Sequence, residues 1–225
     1  MLLYYITDRR SLRGTAAQQR SGVLRLIGEA CRAGVNYIQL REKDLTPREL
    51  ERLGRDAMRV VRDHSAMTQL LVNARSDVAL ASAADGVHLP AGELAASEIR
   101  ALWRQASSRE PIIGVSAHTV AEVRQAEAEG ADFVVLAPIF EKLHSSTPAI
   151  GLDALRAACT GFQPAESQAS RLAVFALGGV TLSNAAACRA AGAAGVAGIR
   201  IFQADNLGET VRQLRQIEIA LAGRL

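Results

Sequence analysis

Three groups of residues in this chain carry side chains suited to binding or moving charge. The first is Gln39-Leu40-Arg41-Glu42-Lys43, which ends a short apolar run. In an extended segment alternate side chains share a face, so Gln39, Arg41 and Lys43 would point together. Guanidinium takes oxyanions bidentately, and donors converging in this way suit a phosphate or diphosphate. The alternative is a structural ion pair from Arg41 to Glu42 or Asp8. The second group is Leu177-Gly178-Gly179-Val180, followed by Thr181 and Ser183 and later by Arg200. Paired glycines let backbone N–H groups approach an anion closely, and a helix opening at Thr181 or Ser183 would add its positive end. A plain tight turn is the other reading. The third is His118 in Gly114-Val115-Ser116-Ala117-His118. An imidazole titrates near neutrality and can take or give a proton, although His118 could equally cap the helix that follows.

Other polar residues rank behind these. Asn73 could donate to and accept from a heterocycle edge at once. Arg75 reads as helix-start structure, and His88 as a hydrogen-bonded interior residue. His64 belongs to the surface, and His144 lies in a polar loop where nothing fixes it. No pair of Asp or Glu residues has metal-like spacing, and Glu93 alone is a thin magnesium site. No cysteine stands at a strand end, which excludes a cysteine nucleophile, and no Ser–His–Asp set is present.

Positioning these groups requires a scaffold, and the chain spells one out. Short apolar runs at 2–7, 37–41, 69–73, 86–89, 112–116, 133–138, 172–177 and 195–201 alternate with stretches of helical spacing. Eight strand–helix units predict a single-domain (β/α)8 TIM barrel spanning residues 1–225, α/β in class, with its chemistry at the strand C-termini. Asp8, Arg41, Lys43, Asn73, His88, His118 and Arg200 all fall there. Thr46-Pro47 predicts a helix start, Ser76 an N-cap, and Thr119 with Glu122 a capping box. Gly34 and Gly130 read as helix C-termini. Residues 141–150 form a polar loop on the catalytic side, and 163–171 an Ala/Ser/Gln-rich loop on the opposite side.

Composition narrows the function further. With 49% apolar residues the chain can fill one large core. No run approaches the length of a membrane span, and the first apolar run starts beside Met1, leaving no room for a signal peptide. Cys31, Cys159 and Cys188 are odd in number and lie in predicted helices, so reduced thiols and a cytoplasmic location are expected. A net charge of +3 with only 4% aromatic residues argues against nucleic-acid binding. Arg48, Arg52, Arg55, Arg59 and Arg62 on one helix read as a solvated face with acidic partners.

The ordered set Tyr5-Ile6-Thr7-Asp8, Gln39-Leu40-Arg41-Glu42-Lys43, Val72-Asn73, Ala84-Asp85-Gly86-Val87-His88-Leu89, Gly114-Val115-Ser116-Ala117-His118, Gly130-Ala131-Asp132-Phe133-Val134, Ala137-Pro138-Ile139-Phe140 and Leu177-Gly178-Gly179-Val180 resembles the thiamin phosphate synthase / thiazole tautomerase family from about Tyr5 to Gln203. The resemblance implies a pocket for thiazole and pyrimidine rings, with phosphate at Gly178, Gly179 and Arg200. It also implies substrate contacts from Gln39, Arg41, Lys43, Asn73 and Ser116.

The branch is a finer matter. Synthases in this family couple a hydroxymethylpyrimidine diphosphate to a thiazole phosphate with Mg²⁺. The metal is held by an Asp after the third-strand Asn and another after the fourth strand. Here those positions read Ala74 and Glu93, and the synthase Thr-x-Thr-Lys loop reads Lys142-Leu143-His144-Ser145. Asn73-Ala74-Arg75 and Leu89-Pro90-Ala91-Gly92 are nearer the tautomerase pattern. The leading expectation is therefore an isomerase of thiazole carboxylate phosphate that needs no cofactor, with His118 catalytic. The alternative is a synthase, a transferase using Mg²⁺ through Glu93 with Lys142 replacing the usual lysine. A third reading is a non-catalytic regulator that binds thiamin phosphate, and a sugar-phosphate isomerase fits poorly. Small-molecule partners are expected, with no nucleic acid and no membrane; a homo-oligomer is compatible with all of these.

Overall fold

The structure is a computed structural model that describes residues 1–141, 147–160, 172–204 and 206–222. Eight parallel strands close into a barrel in the order of the chain: β1 Leu2–Ile6, β2 Tyr37–Leu40, β3 Gln69–Asn73, β4 Gly86–Leu89, β5 Ile112–Ala117, β6 Phe133–Leu136, β7 Ala173–Ala176 and β8 Gly195–Gly198. Closure comes from β8 pairing with β1, Leu2 opposite Gly195 and Tyr5 opposite Gly198. Eight helices follow the strands: α1 Ala16–Ala33, α2 Pro47–His64, α3 Ser76–Ala81, α4 Ala96–Ala106, α5 Val120–Ala128, α6 Gly151–Thr160, α7 Ala185–Ala190 and α8 Leu207–Ala222. The fold is the expected (β/α)8 barrel. Several strands stop short of the apolar runs that announce them, because past the barrel rim the chain turns away and loses its neighbouring ladder. Arg41 and Arg200 thus stand in the loops after β2 and β8.

Local sequence explains the helices. α2 starts at a Thr46 cap whose side chain accepts from the Glu49 N–H, while Glu49 reaches back, with Pro47 in the first turn. Its buried residues Leu50, Leu53, Gly54, Ala57, Met58 and Val61 recur every three or four positions and pack on the barrel. The opposite face carries arginines with acidic partners, Arg55 on Glu51 and Arg59 on Asp56. Two expected caps differ. α3 has Arg75 at its N-cap and Ser76 as its first residue, and Arg75 instead grips Asp77. Thr119 does cap α5, but the Glu122 carboxylate accepts from the His118 N–H rather than closing a box. Gly34 closes α1, and Gly130 follows the α5 cap with a φ of 83°. The three cysteines are buried and form no disulfide.

The barrel has two polar ends with different jobs. At the bottom, the residue leading into each of β2, β4 and β6 accepts the N–H of the second residue of the strand before it. Asn36 takes Leu3, Asp85 takes Leu70 and Asp132 takes Ile113. Arg62 and Arg109 pair with Asp85, and Arg100 with Asp132. Above this ring Tyr4, Tyr37, Phe133 and Phe175 interlock inside the barrel with ring centroids 5.1–6.0 Å apart. Gly114 makes this packing feasible, since a Cβ there would lie 2.4 Å from Phe133 Cζ and 2.8 Å from His88 Nδ1. Among the described residues the lower barrel is therefore filled by side chains. Among the described residues no helix is long and apolar enough to cross a membrane.

Candidate active site

Alternation along β2 turns Gln39 and Arg41 inward while Ile38 and Leu40 face the helices. Gln39 sits deeper than the sequence suggests. It is buried, and its Nε2 donates to the Tyr4 hydroxyl at 3.0 Å, so it belongs to the barrel interior rather than to an open trio of donors. Arg41 is half-buried, and its charge reaches the ring of His88. Lys43 lies exposed in the turn beyond. The expected rival partner for Arg41 is occupied: Glu42 is buried, accepting from Thr7 Oγ1 at 2.6 Å, the Arg9 N–H at 3.1 Å and the Arg9 guanidinium at 3.4 Å. Burial pushes the Glu42 carboxyl above its usual range, against these hydrogen bonds. No ion pair of Arg41 with Glu42 or Asp8 forms among the described residues, which leaves its guanidinium available at the rim.

Asn73, last in β3, pairs in register with His88 in β4. His88 is an interior residue as its sequence context implies: Nδ1 lies 3.2 Å from Tyr4 Oη and Nε2 lies 2.9 Å from Ser116 Oγ. Burial, helped by the nearby Arg41 charge, lowers its pKa to about 3, so the ring is neutral. Ser116, half-buried near the end of β5, is the rim end of this polar run.

His118 is not the helix cap, a role Thr119 takes. It is exposed at the rim, and its Nδ1 donates to the Ala137 carbonyl at 2.8 Å. That bond assigns the proton of the neutral ring to Nδ1 and its lone pair to Nε2, the tautomer in which Nε2 can act as a general base. The β6 and β7 exits run side by side, Ile139 N–H donating to Leu177 O and Phe140 N–H to Gly178 O. Gly178 and Gly179 both adopt positive φ, 94° and 65°. Among the described residues no hydrogen bond uses the N–H groups of Gly178, Gly179 or Val180. Successive unengaged N–H groups of this kind make a concave anion cradle. Arg200, exposed after neighbouring β8, adds a cation on that side.

The loop is not held by a helix starting at Thr181 or Ser183. Helix α7 begins at Ala185, and Asn184 ties the loop instead, donating from Nδ2 to Gly179 O and accepting the Thr181 N–H. Asn184 and Tyr4 are the two organisers that the sequence reading passes over. The Asn184 role was discernible from an Asn three residues after Thr181 in a loop. That of Tyr4 depends on a cross-barrel contact.

Glu93 is exposed, and among the described residues no group of three or more His, Cys, Asp or Glu converges. With Ala74 in the other position, the donor set here does not suit Mg²⁺. Residues 142–145, with Lys142 and His144, and residues 163–171 lie outside the described part.

A family model described as thiamine monophosphate synthase matches residues 3–202. This chain belongs to that family. A thiamine-phosphate synthase of Moorella thermoacetica is 38% identical over 205 residues, 89% of this chain and 90% of the relative. One from Syntrophomonas wolfei is 33% identical over 96% of this chain and 95% of its own. A solved thiamine phosphate pyrophosphorylase from Pyrococcus furiosus superposes with a TM-score of 0.76 at 28% identity, covering 96% and 94% of the two chains. The family places the chain among enzymes of thiamine biosynthesis.

Proposed function

We propose that this member of the thiamine monophosphate synthase family isomerises a thiazole carboxylate phosphate by proton transfer at the barrel rim. The observation that carries this reading is His118, whose Nδ1–H is fixed on the Ala137 carbonyl so that the neutral ring carries its lone pair on Nε2. The thiazole phosphate would sit on the free N–H groups of Gly178 and Gly179, with Arg200 beside it. Arg41, with Lys43 further out, would meet the carboxylate, and Asn73 and Ser116 the ring edge. His118 would take a proton from one ring position and return it at another, so the substrate and product have the same composition. This reading needs no cofactor, and its substrate is a soluble small molecule.

The names of the relatives favour a second reading, coupling of hydroxymethylpyrimidine diphosphate to thiazole phosphate with release of diphosphate. That reaction relies on Mg²⁺ for its leaving group, and the Ala74 and Glu93 pair suits the ion poorly, so no step is assigned through it. One assay separates the two. Incubating the protein with the pyrimidine diphosphate and the aromatic thiazole phosphate, with and without Mg²⁺, should yield no thiamin phosphate, whereas the unrearranged thiazole should be converted. Mg²⁺-dependent thiamin phosphate would establish the synthase instead. Tight thiamin phosphate binding without either turnover would indicate a sensor.

A further inference from the structure

The proton inventory inside the barrel has a direction. Gln39 Nε2 donates to Tyr4 Oη at 3.0 Å, which leaves the single phenolic proton of Tyr4 for its other neighbour, His88 Nδ1 at 3.2 Å. Burial pushes the Tyr4 phenol far above its usual range, so that proton stays in place. If Nδ1 accepts, the imidazole must carry its proton on Nε2, which then donates to Ser116 Oγ at 2.9 Å. His88 is nine-tenths or more enclosed, and Gly114 supplies the gap its ring fills. Ser116 already accepts from His88, and its own hydroxyl proton has no acceptor among the described residues. It stands near the C-terminal end of β5, on the face of Gly114 that looks into the barrel, two positions before His118 in the bend beyond the strand.

We propose that Gln39, Tyr4 and His88 form a one-way hydrogen-bond chain that leaves the Ser116 hydroxyl proton free to donate to the ligand. His88 is a positioning residue in this scheme and touches no substrate. Ser116 therefore keeps its one proton for the ligand and favours those presenting an acceptor at that point, a carboxylate oxygen or an unprotonated ring nitrogen. A ligand without an acceptor there leaves that proton unmatched in the complex and binds more weakly. The identity of the ligand rests on the proposed function; the polarity of the chain does not.

Two measurements test it. Nitrogen-15 NMR of the imidazoles in the free protein, with His88 assigned by its disappearance in His88→Gln, should show His88 as the Nε2–H tautomer with no titration between pH 5 and 8. The Nδ1–H tautomer, or protonation in that range, would reverse or abolish the chain. Calorimetry with the aromatic thiazole phosphate should then show Tyr4→Phe and Ser116→Ala each binding roughly tenfold more weakly, the scale of one hydrogen bond. The double variant should lose little beyond either single one. Additive losses, or unchanged binding in folded Tyr4→Phe, would overturn the proposal. Failure of the wild-type protein to bind thiazole phosphate would count against the proposed function, while the tautomer measurement would still decide the chain.

Discussion

His118 Nδ1 lies 2.8 Å from the carbonyl oxygen of Ala137, a residue on the neighbouring β6 exit. One backbone atom thus fixes both the ring orientation and the tautomer of the rim histidine, and its own N–H is held by Glu122 at 2.6 Å. Replacing His118 by Asn keeps a polar group at the rim and removes the base. Turnover of the thiazole substrate should fall by about 10²- to 10⁴-fold, the usual scale of general-base removal, with phosphate-dependent binding retained. Rate measurements alongside calorimetry check both halves, and retained turnover would remove His118 from the mechanism.

Gly179→Ala tests the anion cradle. At a φ of 65° an added Cβ would lie 2.7 Å from Phe140 Cβ and 2.8 Å from the Glu141 carbonyl oxygen. Backbone strain of about 1–3 kcal/mol is expected, together with a displaced loop. KM for the phosphorylated substrate should rise more than kcat falls, and thermal unfolding should report the strain separately.

Asp85 offers the opposite case, a carboxylate at the far end of the barrel. It accepts the Leu70 N–H at 2.9 Å and pairs with Arg62 at 2.8 Å and Arg109 at 3.0 Å. Asp85→Ala leaves a buried N–H without its partner and should cost about 2–4 kcal/mol in urea unfolding. KM should be unchanged for the fraction that folds, because the site lies at the other rim.

Stability should depend on pH through His88. Its folded pKa of about 3 is below the ordinary 6.5, because burial disfavours the charged ring. Between those values the unfolded chain binds the extra proton and the folded one does not. The contribution of His88 is therefore intact above pH 6.5 and is lost as pH falls toward 3, at about 1.4 kcal/mol per pH unit. Urea titrations at pH 7 and pH 5 should show wild type losing more stability than His88→Gln over that interval.

Much of this molecule can be read from the chain alone. Eight apolar runs of strand length, separated by helical spacing, fix the barrel because period and length are local properties. The Thr46-Pro47 helix start and the Gly34 helix end are equally local. Placement of Arg41, Asn73, Ser116, His118, Gly178, Gly179 and Arg200 around one rim follows from topology, since every parallel strand delivers its C-terminus to the same side. Thr119 caps α5 as its sequence implies, whereas Ser76 as a cap and Glu122 as the return half of a capping box fail, because a cap depends on which of several nearby polar groups wins the free N–H. Glu122 chose His118, and Arg75 took the position before α3.

The sequence by itself determined the barrel, the rim to which every strand delivers its C-terminus, and the residue types gathered there. Tertiary structure alone decided their states. Gln39, read as a ligand contact, turned inward to Tyr4; His88 became neutral between Tyr4 and Ser116; Glu42 was claimed by Thr7 and Arg9. These partners are separated by 28 to 84 residues along the chain for His88 alone. Spacing can say which face a side chain occupies, but only closure of the barrel brings strands distant in sequence within hydrogen-bond range and sets the burial that shifts protons.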